Sequence, residues 1–198
     1  MCLIDVNQMD KNISSSKELP EEFFRLPPDQ SSLKVRYGPS GIHIFNRSTG
    51  MNFLFDEILP PFSLWATAPR QISIALTNAC DLRCPYCFTP RNRAALDYGQ
   101  VTNWLNELDA NGCMGVGFGG GEPTLFPHFV ALCQYAATKT RLAVTFTTNG
   151  YRLNEELISA LKGNVHFIRV SMDGVGDTYE KLRGRQFDIF LDCLHQVR

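Results

Sequence analysis

The sequence predicts an α/β fold built on a parallel sheet, and three observations carry that prediction. From residue 71 onward, strand-like apolar runs alternate with helical stripes, four of each. A helix between successive strands makes the strands parallel and the crossovers right-handed. The chemically unusual residues fall just after the strand-like runs, at the strand ends where such sheets bind ligands.

Each element has a local reason. Residues 1–32 are polar, with "SSSKELPEE" and "LPPD", and read as a flexible lead-in. Residues 33–62 carry "GIHIF" and "MNFLFDEI" on either side of the turn-prone "NRSTG", which predicts a β-hairpin extension closed off by "LPPF". The core is expected over 70–198. "QISIALT" is its first strand, and residues 98–111 place Val101, Leu105 and Leu108 at helical spacing before Gly112. "MGVGFG" is a second strand, followed by a stripe of Phe129, Leu132, Cys133 and Ala136. "RLAVTFTT" is a third, followed by a helix holding Leu157, Ile158 and Leu161 and stopped at Gly163. "VHFIRVSM" is a fourth, and a last helix presents Phe187, Phe190, Leu191 and Leu194 on one face. No tandem repeat is visible. The pattern fits an open sheet or an arc of a barrel.

Composition bounds the function. The 198 residues suffice for a sizeable core, and 44% hydrophobic with 20% charged residues is ordinary for a globular chain. A net charge of −1 offers no electrostatic footprint for nucleic acid, and the pairs Arg91/Arg93 and Arg183/Arg185 are too short to make one. Neither a secretory signal nor a membrane-spanning run is present, so a cytoplasmic protein with reduced thiols is expected. The sequons at Asn12 and Asn46 are then chance matches.

Seven cysteines in such a chain invite a metal or catalytic reading for some of them. Cys80, Cys84 and Cys87 lie in "CDLRCPYCF", three soft ligands in one loop. A closed zinc site needs a fourth ligand, which Cys113 or a histidine would have to supply, whereas a four-iron cluster held by three cysteines leaves one iron open. Cys133 and Cys193 sit on or beside apolar helical faces, Cys113 precedes a strand, and Cys2 is terminal; burial explains the first three. His43, His128, His166 and His195 show no mutual ligand spacing. Gly115, Gly117 and Gly120 formally match a dinucleotide fingerprint, but they fall inside a strand and Glu-Pro follows. Gly119 to Gly121 are better read as a close backbone approach to a ligand, gripped by N–H groups and Glu122. "TTNG" and "SMDG" add small polar side chains on the same rim, a cup for a polar cofactor.

Taken together, Cys80-x-x-x-Cys84-x-Tyr86-Cys87, Gly120-Gly121-Glu122-Pro123, "TNG", "SMDG" and "RGR" resemble the ordered motifs of the radical S-adenosylmethionine (radical SAM) superfamily over residues 70–198. The resemblance implies a partial (βα) barrel and a 4Fe–4S cluster on Cys80, Cys84 and Cys87, with SAM as ligand to the open iron. It places the Tyr86 backbone against adenine, Gly120, Gly121 and Glu122 on the methionyl amino group, and Ser171 near the ribose. Arg183 or Arg185 would pair with the SAM carboxylate, with Asn149 at the same rim. The implied reaction is reductive SAM cleavage to a 5′-deoxyadenosyl radical that abstracts hydrogen. The pattern is most similar to the branch that modifies peptides and includes the molybdopterin-precursor cyclase, so a peptide or small-molecule substrate is expected, with flavodoxin or ferredoxin as electron donor. The 33–58 hairpin then reads as a docking element or as a cap on the barrel bottom. The family core usually has six βα units and this chain carries four, so a missing C-terminal segment or a partner chain is expected to complete it. The competing expectation is an accessory module that binds an iron–sulfur cluster or zinc without turnover.

Overall fold

The computed structural model describes residues 32–197. The expected lead-in, apart from Ser32, lies outside them, as do Cys2 and Asn12. Two sheets organise the described residues. The first is antiparallel, in the order β1 (Leu33–Gly38), β2 (Gly41–Asn46), β3 (Asn52–Phe55). The second is parallel, in the order β4 (Gln71–Thr77), β5 (Gly115–Gly120), β6 (Ala143–Thr148), β7 (Phe167–Val170). Five helices accompany it: α1 (Tyr98–Ala110), α2 (Phe129–Lys139), α3 (Glu155–Leu161), α4 (Asp177–Arg183) and α5 (Phe187–His195). Among the described residues no helix is long and apolar enough to cross a membrane.

The parallel sheet is an α/β arc of a partial barrel, and its core lies on one face. Ile74 and Leu76 of β4, Val116 and Phe118 of β5, and Val144 and Phe146 of β6 pack with Val101 and Leu105 of α1 and Phe129 and Leu132 of α2. Burial of this apolar face against the helices drives the assembly. Asp97 and Asn154 cap α1 and α3 by accepting N–H bonds from Gln100 and Leu157. Alternation sends Ser73, Ala75, Gly117, Gly119, Thr145 and Thr147 to the opposite face, and none of them is buried. A parallel strand covered on both sides would read as a continuous apolar run. These small and polar residues therefore mark an uncovered concave side.

The extension contains the expected hairpin, β2 and β3, and adds β1 in register from Leu33↔Asn46 to Gly38↔Gly41. It sits at the end of the parallel strands opposite the cysteine loop. Lys34 forms an ion pair with Asp109, Arg36 Nη1 donates to Gly112 O at 2.8 Å, and Arg47 Nη1 donates to Thr140 O at 2.9 Å and Leu142 O at 3.2 Å. These carbonyls lie at or just past the C-terminal ends of α1 and α2, where the helix dipole favours cations. Of the two readings of the hairpin, the contacts seen are those of a cap on the barrel bottom.

Candidate cofactor site

The four loops beyond β4–β7 meet at the opposite end. Gly120 has φ +122°, and a Cβ there would meet Thr77 O at 2.3 Å; at Gly121 it would meet Ala79 O at 2.3 Å. Only glycine lets the second loop lie this close to the first. The contact is hydrogen-bonded, with Gly121 N–H donating to Thr77 O at 2.7 Å and Glu122 N–H to Ala79 O at 2.8 Å. The sequence suggested that this loop's N–H groups grip a ligand. The structure corrects that for Gly121 and Glu122, whose N–H groups already hold the end of β4. A ligand ammonium is a donor in any case, so carbonyl oxygens of this loop are its natural partners. Beside Gly119 the space is open, with nothing within 4 Å of an added Cβ.

Glu122 is fully buried and collects donors from three directions. Its Oε1 accepts from Thr124 N–H at 3.2 Å, Thr124 Oγ1 at 2.7 Å and Thr148 Oγ1 at 2.8 Å, and its Oε2 accepts from Asn149 N–H at 2.8 Å. Asn149 in turn donates from Nδ2 to Asp81 Oδ1 at 2.7 Å. One carboxylate and one carboxamide thus join the loops after β4, β5 and β6.

The loop after β7 joins through Asp173. Tyr86 donates its hydroxyl to Asp173 Oδ2, and Arg183 Nη2 lies 2.6 Å from the same oxygen. Arg183 Nη1 approaches Cys84 Sγ at 3.8 Å, and its guanidinium stands 6.0 Å from the Tyr86 ring centroid. Arg185 donates to Asp81 O at 3.4 Å and faces the Tyr151 ring at 5.7 Å. Ser171, half-buried, donates its N–H to Thr148 O at 2.9 Å. Asp81, Thr148 and Asp173 were not singled out in the sequence, although the last two lie inside the quoted "TTNG" and "SMDG".

The three cysteines share one loop but differ in setting: Cys80 is exposed, Cys84 buried and Cys87 half-buried. Burial raises the Cys80 thiol pKa against a hydrogen bond from Leu82 N–H at 3.4 Å, while hydrogen bonds to Thr89 hold Cys87 below the ordinary range. Among the described residues, no three His, Cys, Asp or Glu side chains converge as a site for one metal ion. Three cysteines in one loop are the soft donor set that an iron–sulfur cluster takes. An amide aimed at sulfur is one of the groups that tune such a cluster. A cavity of about 810 Å³ adjoins Cys80 and Cys87 and is also lined by Arg83, Arg91 and Arg93. Of the other described cysteines, burial pushes Cys133 to about 12, and Cys113 is enclosed with its thiol 3.3 Å from Gly115 O.

The family model "Radical SAM superfamily" matches residues 74–198. The mycofactocin maturase MftC of Mycobacterium tuberculosis (strain CDC 1551 / Oshkosh) is 30% identical over 147 residues, which cover 71% of this chain and 37% of the relative. The sporulation killing factor maturation protein SkfB of Bacillus subtilis (strain 168) is 30% identical over 129 residues, covering 63% and 31%. The chain therefore spans about a third of the length of these relatives. Among solved structures, Streptococcus suis SuiB bound to precursor peptide SuiA superposes with a TM-score of 0.66 at 16% identity, covering 82% of this chain and 52% of that one. The structure of anSMEcpe with bound AdoMet gives 0.54 at 24% identity, covering 65% and 40%. At these identities the structural likeness speaks for the fold alone.

Proposed function

Because this chain belongs to the radical SAM superfamily, we propose that it contributes the cofactor-binding core of an enzyme that modifies a peptide. The observation that carries the reading is the knitting of all four strand-end loops into one rim through Glu122, Asn149, Asp81, Asp173 and Arg183. When bound, a 4Fe–4S cluster and SAM supply one-electron cleavage of SAM to a 5′-deoxyadenosyl radical and hydrogen abstraction from substrate.

The chain's own residues supply binding and orientation. Cys80, Cys84 and Cys87 hold the cluster. Carbonyls of Gly120 and Gly121 receive the methionyl ammonium, with the fully buried Glu122 fixing their loop and supplying negative charge behind it. Arg183 or Arg185 takes the SAM carboxylate, for which a planar guanidinium fork is suited. Ser171 faces the ribose, the Tyr86 backbone lies along the adenine, and Asn149 holds the cysteine loop in register. The uncovered concave face around Gly117, Gly119, Thr145 and Thr147 admits the peptide.

The peptide assignment rests on relatives named as peptide maturases and on the superposition with a protein bound to its precursor peptide. The test is anaerobic cluster reconstitution, then reductant-dependent formation of 5′-deoxyadenosine from SAM, with Cys84→Ala as control. Product from the wild type and none from the variant is the expected result. A cluster that forms without SAM cleavage points to an accessory module, and a colourless zinc-loaded protein overturns the reading.

A further inference from the structure

Arg183 carries a donor that is left unfilled. Its Nε is buried and meets no acceptor among the described residues, and the side chain as a whole is 11% exposed. A buried charged donor without a partner is costly, so a native site that keeps one calls for an acceptor from elsewhere. The other two nitrogens of the guanidinium are engaged: Nη2 lies 2.6 Å from Asp173 Oδ2, and Nη1 lies 3.8 Å from Cys84 Sγ. Arg185, two residues on, is exposed and reaches Asp81 O at 3.4 Å and the face of the Tyr151 ring. Of the two rim arginines, the fold therefore fixes the pose of Arg183.

Asp173 sets that pose. Its Oδ2 accepts from the Tyr86 hydroxyl as well as from Arg183, so one oxygen is anchored by the cysteine loop and by the last turn of α4. The chain turns sharply just after it. Gly174, at φ +137°, leaves no room for a Cβ, which would meet Thr178 Cγ2 at 2.7 Å. A carboxylate held by two donors from different loops is a fixed part of the scaffold, and fixing the guanidinium in advance lowers the entropy cost of using it.

We propose that Asp173 is a positioning residue which, with the Tyr86 hydroxyl as its second anchor, holds Arg183 so that Nε is left for the carboxylate of SAM. The inference rests on the reading above that this rim binds SAM, and it adds the residue that orients the arginine. In this role Asp173 does not touch the ligand. Two carboxylates side by side repel, but a guanidinium between them serves both, since its N–H groups let one take Nη2 while the other takes Nε. The Tyr86 hydroxyl acts through Asp173, so the two side chains work as a unit.

The test measures SAM affinity of the reconstituted protein by anaerobic equilibrium dialysis, with iron content and urea midpoint as checks on cluster and fold. Asp173→Ala is expected to raise the SAM dissociation constant about tenfold or more, and Tyr86→Phe about threefold, with iron content unchanged. In Asp173→Ala/Tyr86→Phe the hydroxyl change should add nothing to the loss in Asp173→Ala, because its effect passes through the carboxylate. Asp173→Asn keeps an acceptor for both donors and should recover part of the affinity lost in Asp173→Ala, which a lost packing contact would not. Unchanged affinity in Asp173→Ala overturns the proposal. So does tighter binding, which would make Asp173 a competitor for the arginine. Additive losses in the double variant overturn it too, because Tyr86 would then act on its own. Loss of iron in Asp173→Ala also overturns it, since the residue would then serve the cluster. A wild type that holds its cluster and binds no SAM overturns the reading of the rim and the proposal with it, an outcome distinct from a SAM-binding wild type whose variants bind equally well.

Discussion

The two ends of the parallel sheet use opposite charges to do different work. At the bottom, Lys34, Arg36 and Arg47 of the antiparallel cap reach Asp109 and the carbonyls beyond α1 and α2. At the top, the carboxylates of Glu122, Asp81 and Asp173 gather donors from neighbouring loops. The bottom contacts close a layer: Lys34 is 3% exposed, its charge matched by Asp109. The top contacts hold a rim while leaving exposed thiol, aromatic and guanidinium groups around it. A structural end satisfies its polar groups internally, whereas a binding end satisfies the scaffold and leaves other groups for a ligand.

Substitutions at the two ends should separate accordingly. The largest effect is expected from Glu122→Ala, which strands four buried donors; at about 1–3 kcal/mol for a buried group left unsatisfied, a loss of about 3 kcal/mol or more is expected in urea unfolding, together with loss of SAM binding. Retention of SAM binding in this variant would erase the distinction between the ends. Next comes Lys34→Met at the bottom. It leaves Asp109 without its cation at a partly exposed site, between the regimes of buried and surface pairs, so about 1–3 kcal/mol of stability should disappear. SAM affinity measured by equilibrium dialysis should stay within about twofold, which is roughly 0.4 kcal/mol.

Asn149→Ala is expected to cost about 1–3 kcal/mol of stability, the net value of the two hydrogen bonds its carboxamide makes to Asp81 Oδ1 and Tyr151 N–H, and to weaken SAM binding about tenfold because Asp81 loses its tether to the rim. Unchanged SAM affinity beside that loss of stability would make Asn149 merely structural. The smallest effect is a pH dependence at the bottom. His166 Nδ1 accepts from Val144 N–H at 3.0 Å, and burial, then Arg47, lowers its pKa from the ordinary 6.5. The unfolded chain therefore binds a proton that the folded chain resists. This contribution is complete above the unfolded pKa and is lost as pH falls through it toward the folded value. Urea midpoints should drop between about pH 7.5 and about pH 5.5, and by less in His166→Asn; an identical drop in both would assign the effect elsewhere.

Much of the fold was legible because its signals are local. Val101, Leu105 and Leu108 mark α1, and Ile74 and Leu76 alternate along β4. Two elements escaped. α4, DTYEKLR, buries only Tyr179 and so carries no apolar stripe to read. β1 reads "LKVRYG", a clean alternation, but Lys34 is its buried side chain, because its ammonium meets Asp109. Alternation identifies a strand without saying which face is covered when a charge finds a partner.

The site divides in the same way. Cysteine spacing and the glycine run are properties of contiguous sequence, since ligand geometry and a Cβ-free approach are set within a few residues. The sequence by itself determined the alternating βα order, the motif at each strand end and hence the family. Tertiary structure alone decided that Glu122 is a fully buried junction, that Asp173 joins Tyr86 to Arg183, and that the extension caps the bottom. Such pairings span tens of residues along the chain, and no local propensity encodes which distant donor a buried carboxylate will meet.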